Sequence, residues 1–477
     1  MAKKKPDLSK LSVEELRNEL ARRAAEELPE NPTMTDMELA VDEMFGRDGP
    51  PSIALMLSRM KPEKPTAKRC PWCGRRVPVK APKRPRTVQS LAGPVTFERN
   101  YHYCRHCERG FYPVDIDLGL PAEGELTSVL EKRVLDFAIN DSYEHGAQRW
   151  AEHYRFPISA NLLRRVAERI GRRMEACDEA ALAHELKEPA PKRPELVVVQ
   201  NDGGMVPMRG KEPWREVKLA VIFRGEHHLS HQRGRRGMIS QARYVGVLGA
   251  QDEFRKSLDT ALRMERALTA QTVVWVGDGA KGNWRLASDL VPKCIQVLDW
   301  YHAVENAMAC GRKLLGEQSP WLPVWKERIE DLLAAGDVDA LLDELEACLF
   351  VAPRNRRRCL RELGQYYRNN RERMRYSEYQ ALGLPIGSGI VESAHRHVIQ
   401  RRMKNAGQHW SEIHGRRMVR MRAAYQTAGL SGFHRALSRA ETLSRSAHIP
   451  RVGWQKRRAS NYGVTGVTPR TGRHSPY

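Results

Sequence analysis

No run of about 18 apolar residues occurs anywhere in the chain, and a membrane-spanning helix needs one. The first residues, MAKKKPDLSK, lead into a charged amphipathic pattern rather than the apolar stretch of a secretory signal. Together these absences predict an intracellular, soluble protein with no membrane partner. Cysteine is sparse: four of the nine stand in two close pairs and the rest are scattered. That argues against a disulfide framework and fits a reducing compartment with one metal site. Acid is missing locally, from Gly74 to Phe97 and from residue 451 to the end, and both stretches suit contact with phosphates.

What the chain has in excess is positive charge. Lys and Arg number 80 against 58 acids, a net charge of +22, and a surplus of that size points to a polyanion, here double-stranded DNA. Basic clusters recur along the length, at 3–5, 75–86, 354–358, 401–404, 416–422 and 456–458. The expected location is the cytoplasm, in association with the nucleoid. A chain of 477 residues predicts about three domains.

Residues 1–64 read as a helical arm with Leu11, Val13, Leu16 and Leu20 on one apolar face. From 65 to 121 the chemistry becomes specific. Cys70-Pro-Trp-Cys73 and Cys104-Arg-His-Cys107 flank segments of strand character. Each CxxC turn can aim two thiolates at one tetrahedral ion, so the two turns predict a closed, structural zinc site. Arg75, Arg76, Lys83, Arg84 and Arg86, in the acid-free linker, are expected at DNA phosphates. Residues 122–186 read as three helices, the third capped by Ser159. Asn161, Arg164, Arg165 and Arg169 on that helix resemble the recognition face of a helix-turn-helix, and plain helical packing accounts for the pattern equally well.

The segment KEPAPKRPE (187–195) marks the sharpest boundary. Beyond it, 195–302 predicts an α/β unit in which an apolar strand ends at Asp202-Gly203-Gly204 and two strands follow with hairpin spacing. A helix leads to the strand at Val273–Val276, which ends in Gly277-Asp278-Gly279. A further helix leads to an apolar run ending in Asp299-Trp-Tyr-His302. This is the element order of a ribonuclease-H-like core. His227, His228 and His231 are spaced too loosely for a metal site and read as an exposed loop. Residues 303–384 read as a helical insertion. In 385–430 the loop Pro385-Ile-Gly-Ser-Gly389 launches a long helix, with Glu392, Arg396, Ile399 and Met403 on one face. Residues 431–477 read as a basic, disordered tail.

Asp202, Asp278 and Glu392 are three carboxylates, two at expected strand ends and one on the later helix. Such a set suits phosphodiester chemistry with two divalent cations, which act on the attacking and leaving oxygens. Hard oxygen ligands select magnesium or manganese. Taken singly, each acid also reads as a turn, cap or helix-surface residue.

The segments CPWCGRRV, DGGMVPMRG, GDGAKGNW, LDWYHAVENA and PIGSGIVESAHRHVIQRRMKNAGQHWS run in order from Cys70 to Ser411. They resemble the DDE-type transposases of bacterial insertion sequences, most closely the ISKra-type branch, in which a zinc ribbon precedes the catalytic core. The resemblance implies that Asp202, Asp278 and Glu392 form the catalytic triad of a ribonuclease-H-like domain, and that Asp299 and His302 are the DxxH element after the second acid. His395 and Arg396, one turn after Glu392, are candidates for the scissile phosphate, and Arg401, Arg402 and Lys404 for DNA. The implied reaction cuts at the element's ends and transfers the freed 3′-hydroxyl into target DNA, which calls for at least a homodimer to hold two ends. One departure from the pattern is Asn201 before Asp202, with Gly204 following Gly203.

Two rival readings share these residues. One is a zinc-ribbon and helix-turn-helix regulator derived from an inactive transposase, against which all three acids stand. The other is a metal-dependent nuclease without strand transfer. A phosphate-loop ATPase is disfavoured because Gly210-Lys211 is followed by Glu212 rather than Ser or Thr.

Overall fold

A computed structural model describes residues 12–447, except 27, 61–64, 121–124, 192 and 230–237. His231 and the chain from 448 onward, including most of the expected tail, lie outside the described residues. At the centre is a mixed sheet of five strands, β1 (Leu196–Pro207), β2 (Trp214–Arg224), β3 (Arg243–Leu248), β4 (Thr272–Gly277) and β5 (Ile295–Leu298), in the spatial order β3-β2-β1-β4-β5. The first three pair antiparallel, while β4 runs parallel to both β1 and β5.

Val, Ile and Leu dominate these strands because both faces of the sheet are covered. Successive side chains of β1 and β2 enter different cores. Val197, Val199, Ala220 and Ile222 join one, and Val198, Leu219, Val221 and Phe223 the other, as a period of two requires. The first core is closed by helices Gln251–Met264 and Lys281–Leu290. The second is closed by helices Ser128–Asn140, Tyr143–His153 and Ala160–Ala176 and by the helical run 389–403. Before the sheet, strands Val79–Ser90 and Gly93–Cys104 form a long hairpin extended by Arg109–Phe111. Among the described residues, no helix is long and apolar enough to cross a membrane.

Four expectations need correction. Asp202 is not at a strand end: β1 continues to Pro207, paired with β2 as far as Trp214, and only its β4 side falls free after Gln200. The helical stretch 303–384 is no separate unit, since Leu333, Leu341, Leu360 and Tyr367 share one core with Val274 and Trp275 of β4. The chain from 431 is not simply a tail, because a helix runs from Glu412 to Ala447, broken only at Gly429 (φ 65°). It buries Phe433, Ala436, Leu437 and Ala440, a spacing of three and four residues that the basic composition around it masks. Finally, the helix after Gly389 has a π-helical stretch at His395–Gln400. A wider turn rotates the residues beyond it, so Glu392 and Arg396 are exposed while Ile399 and Met403 are buried, and the expected common face is split.

Candidate active site

Three acids form a row at one edge of the sheet. Gln200 of β1 pairs with Val276 of β4, and Gly277 of β4 pairs with Leu298 of β5. Counting on from these pairs sets Asp202 level with Asp278, and Asp278 level with Asp299, at the edge where the parallel pairing of β1, β4 and β5 stops and opens a crevice. Asp202 and Asp278 both line a cleft of about 950 Å³, with Asn201, Lys218, Arg255, Asn283 and Arg285 among its walls.

Each acid is held by different groups. Asp278 Oδ1 accepts from the Ala280 N–H at 3.0 Å and from Asn283 Nδ2 at 2.8 Å. The first bond is a local Asx turn, so the bland reading and the functional one apply to the same residue. Asn283 Oδ1 in turn accepts from Asn201 Nδ2 at 2.9 Å, and Asn201 Oδ1 accepts from the buried indole of Trp275 at 2.7 Å. The departure noted at Asn201 is thus one link of a chain of side chains reaching Asp278. Tyr366 donates to the Asp278 carbonyl at 3.0 Å and packs where a Cβ on Gly279 would stand, 2.7 Å from its ring.

Asp299 is fully buried and caps the helix Trp300–Leu315 by accepting from the Tyr301 N–H. Its Oδ2 meets His302 Nδ1 at 2.7 Å and accepts from the Ser388 hydroxyl. That hydrogen bond raises the His302 pKa to about 9 against the opposing effect of burial, and the charges of Asp299, Asp202 and Asp278 add to it. At neutral pH His302 is therefore a cation among acids. The loop before Glu392 is clamped from beneath. Buried Gln200 donates to the Gly387 carbonyl at 3.0 Å and accepts from the Val391 N–H at 3.1 Å.

Glu392 is brought to this edge beside Asp299 and His302, with one ligand atom from each of the three within 4.8 Å of the others. Among the described residues, Asp202, Asp278 and Glu392 do not themselves form such a group. Asp202 instead faces His395, whose Nε2 lies 3.5 Å from Asp202 Oδ2 and has no hydrogen-bond partner among the described residues. Burial lowers the His395 pKa, partly offset by Asp202. A Cβ on Gly204 would stand 2.9 Å from the His395 ring, so that glycine is what admits the histidine. Arg396 is exposed.

The four cysteines form the second ligand group, all Sγ atoms lying within 4.8 Å of one another. Cys70–Cys107 and Cys73–Cys104 are 3.9 and 3.7 Å apart. Zinc–sulfur bonds of ~2.3 Å in a tetrahedron give sulfur–sulfur edges of about 3.8 Å, so the thiols fit that ion. Gly74 and Glu108, each directly after the second cysteine of its pair, have φ of 71° and 51°. The two turns are thus built alike.

A family model described as an uncharacterised protein family, UPF0236, matches residues 74–439. The chain belongs to that family. All three candidate acids and the second cysteine pair lie inside the matched span of UPF0236, while Cys70 and Cys73 precede it. No curated protein matches. One solved structure that does is a Drosophila P element transposase strand transfer complex, with 12% identity, covering 70% of this chain and 83% of that one at a TM-score of 0.24. An overlap that slight carries no argument.

The basic candidates of this UPF0236 chain divide by burial. Arg75, Arg76, Lys83, Arg84, Arg165, Arg401 and Lys404 are exposed, as are Asn161 and Arg164, which bond to each other. Arg86 instead pairs with Asp115 at 2.7 Å in the interior of the hairpin region, and Arg169 pairs with buried Glu131 at 2.6 Å. Arg402 is fully buried, its Nε donating to the Ala138 carbonyl and its guanidinium lying over the rings of Tyr143 and Trp410. As a direct DNA contact Arg402 is ruled out by that burial. Gln200, Asn283, Tyr366 and Ser388 were missed by sequence reasoning, because only the fold brings them to the acids.

Proposed function

We propose that this chain is a DDE-type transposase that cleaves DNA at an insertion sequence's ends and transfers the 3′-hydroxyl to target DNA, with Asp202, Asp278 and Glu392 as its catalytic acids. The observation that carries this is the row Asp202–Asp278–Asp299 on adjacent strands of a sheet ordered β3-β2-β1-β4-β5, together with the Gln200 clamp that ties the Glu392 helix to the same edge. That order of strands supports a ribonuclease-H-like core interrupted by the helices of 303–384.

The carboxylates offer the hard oxygen donors that magnesium or manganese requires, and Asp278 Oδ2 is left for that task because both local donors go to Oδ1. Two such ions, held by these carboxylates, would supply charge to activate the attacking oxygen and stabilise the leaving one. The chain's own part is to hold Asp278 through Asn283 and to deliver Glu392 through Gln200 and the Ser388–Asp299 contact. His302 supplies positive charge that eases the crowding of acids. Cys70, Cys73, Cys104 and Cys107 hold a structural zinc in a ribbon, and residues 128–176 act as a helix-turn-helix whose exposed Asn161, Arg164 and Arg165 meet DNA. Two copies pair two ends.

The test is a cleavage and joining assay with magnesium or manganese on DNA bearing the element's ends. Joined products from the wild type, lost in Asp278→Ala while DNA binding persists, support the reading. Binding without cleavage by the wild type favours the regulator.

A further inference from the structure

A second cleft, of about 870 Å³, opens between the three-helix unit and the segment after the Glu392 helix. Its walls carry Arg164, Arg209 and Arg401, with His145, His409 and His414. The segment forming one wall is fixed to the end of β1, since Trp410 N–H donates to the Pro207 carbonyl at 3.0 Å and Arg209 N–H to the Trp410 carbonyl at 2.8 Å. Behind this wall lie two buried guanidinium groups. Arg402 has no ion pair among the described residues, and its Nη2 has no partner. Arg422, also buried, is satisfied only by the Ile139, His397 and Val398 carbonyls and the Asn140 amide oxygen.

Two buried cations without a carboxylate are costly to keep in a low-dielectric interior. Backbone carbonyls, those of Ala138 and Ile139 at the end of the helix Ser128–Asn140 among them, accept most of their hydrogen bonds, but these partial charges do not cancel two full ones. The cleft in front of them therefore lies beside uncompensated positive charge, to which exposed Arg209 and Arg401 add, while Arg164 is paired with Glu168. Asp141 and Glu144 also line it, and Asp141 is already paired with Arg149 at 2.7 Å. Arg401 stands nine residues after Glu392 on one helical run, roughly 13 Å along its axis at ~1.5 Å per residue. Successive phosphates of an extended single strand stand about twice as far apart as the ~3.4 Å duplex rise, so that distance covers about two of them.

We infer that this cleft holds a single strand of DNA, the one that continues from the scissile phosphate, with Arg209 and Arg401 on its phosphates and the charge of Arg402 and Arg422 behind them. The inference deepens the proposed function and rests on it for the position of the scissile phosphate. The volume suits one or two nucleotides rather than a duplex, lying within the roughly 300–1,000 Å³ of small-ligand pockets.

The probe is a fluorescein-labelled oligothymidylate of about 12 nucleotides carrying 4-thiothymidine, used with the full chain without divalent metal. Irradiation should crosslink it to peptides spanning 140–145 or 405–414. Arg209→Glu and Arg401→Glu should each weaken binding about tenfold and flatten the salt dependence by about 0.7 or more per lost contact, with unchanged thermal unfolding. Crosslinks only elsewhere, or wild-type affinity and salt slope in both variants, would overturn the inference. Failure of the catalytic reading looks different: Asp278→Ala would then leave strand joining intact while the crosslinks stay in this cleft.

Discussion

Asn283 donates to Asp278 Oδ1 at 2.8 Å while its own amide oxygen accepts from Asn201, so one side chain ties the loop after β4 to the middle of β1. Removing it leaves the Asp278 carboxylate held only by the Ala280 N–H. Groups that orient a metal ligand are typically worth about 10–100-fold in metal affinity or activity. Asn283→Ala should lose that much manganese affinity by titration calorimetry with little change in unfolding temperature. A wild-type affinity would mean that Asp278 needs no such support.

Gln200 is fully buried between the Gly387 carbonyl and the Val391 N–H. Leucine has a similar volume and neither polar group. Gln200→Leu should therefore destabilise the protein by about 1–3 kcal/mol for each backbone group left unpaired, read by denaturant unfolding. Cleavage should fall further than stability explains, because the Glu392 helix loses its tie to β1.

The His302–Asp299 pair predicts a pH dependence. The folded-state pKa of His302 is raised from 6.5 to about 9, so in metal-free protein the pair's contribution is fully present below about pH 6.5. It fades as pH rises through 9. The stability gap between wild type and His302→Gln should therefore be largest at pH 6 and nearly closed at pH 10 in paired unfolding curves. A gap that is constant with pH would count against a charged His302.

Zinc content tests the four-cysteine group. Purified protein should carry about one zinc per chain by atomic emission, and Cys104→Ser should lose it. Chelation should melt the small core of Cys70, Val77, Cys104 and Phe111 and raise proteolysis of the hairpin at 79–104, leaving the central sheet protected.

Ending the chain at 430 tests the last helix. It would remove buried Phe433 and Leu437 and the Glu441–Arg173 ion pair at 2.6 Å. Burying each large apolar side chain contributes about 1.5–3 kcal/mol, so truncation should lower the unfolding free energy by several kcal/mol. Removing only residues after 447 should leave the helix and its contacts in place.

Much of the local structure was legible in the sequence because its causes are local. The cap at Ser159, the β-branched run of β4 and the CxxC spacing each act within a few residues, and the helix from Ala160 and the strand Thr272–Gly277 formed where that chemistry placed them. The π turn at His395–Gln400, which places Val398 and Ile399 in the second core, was not legible from helix propensity. Arg402 shows the same limit for charge. A run of basic residues fixes composition, and burial decides which of them meet solvent.

The sequence by itself determined the kinds of group available: paired cysteines, a strand delivering Asp278, an Asp299–His302 pair at a helix start, and a surplus of positive charge. Only the tertiary structure decided which groups meet. It set Asp202, Asp278 and Asp299 in one row through strand register, brought Gln200 beneath a loop 187 residues away, and grouped Glu392 with Asp299 and His302. The physical reason is that register, burial and helix rotation are fixed by contacts between distant segments, and no local pattern of residue types encodes those contacts.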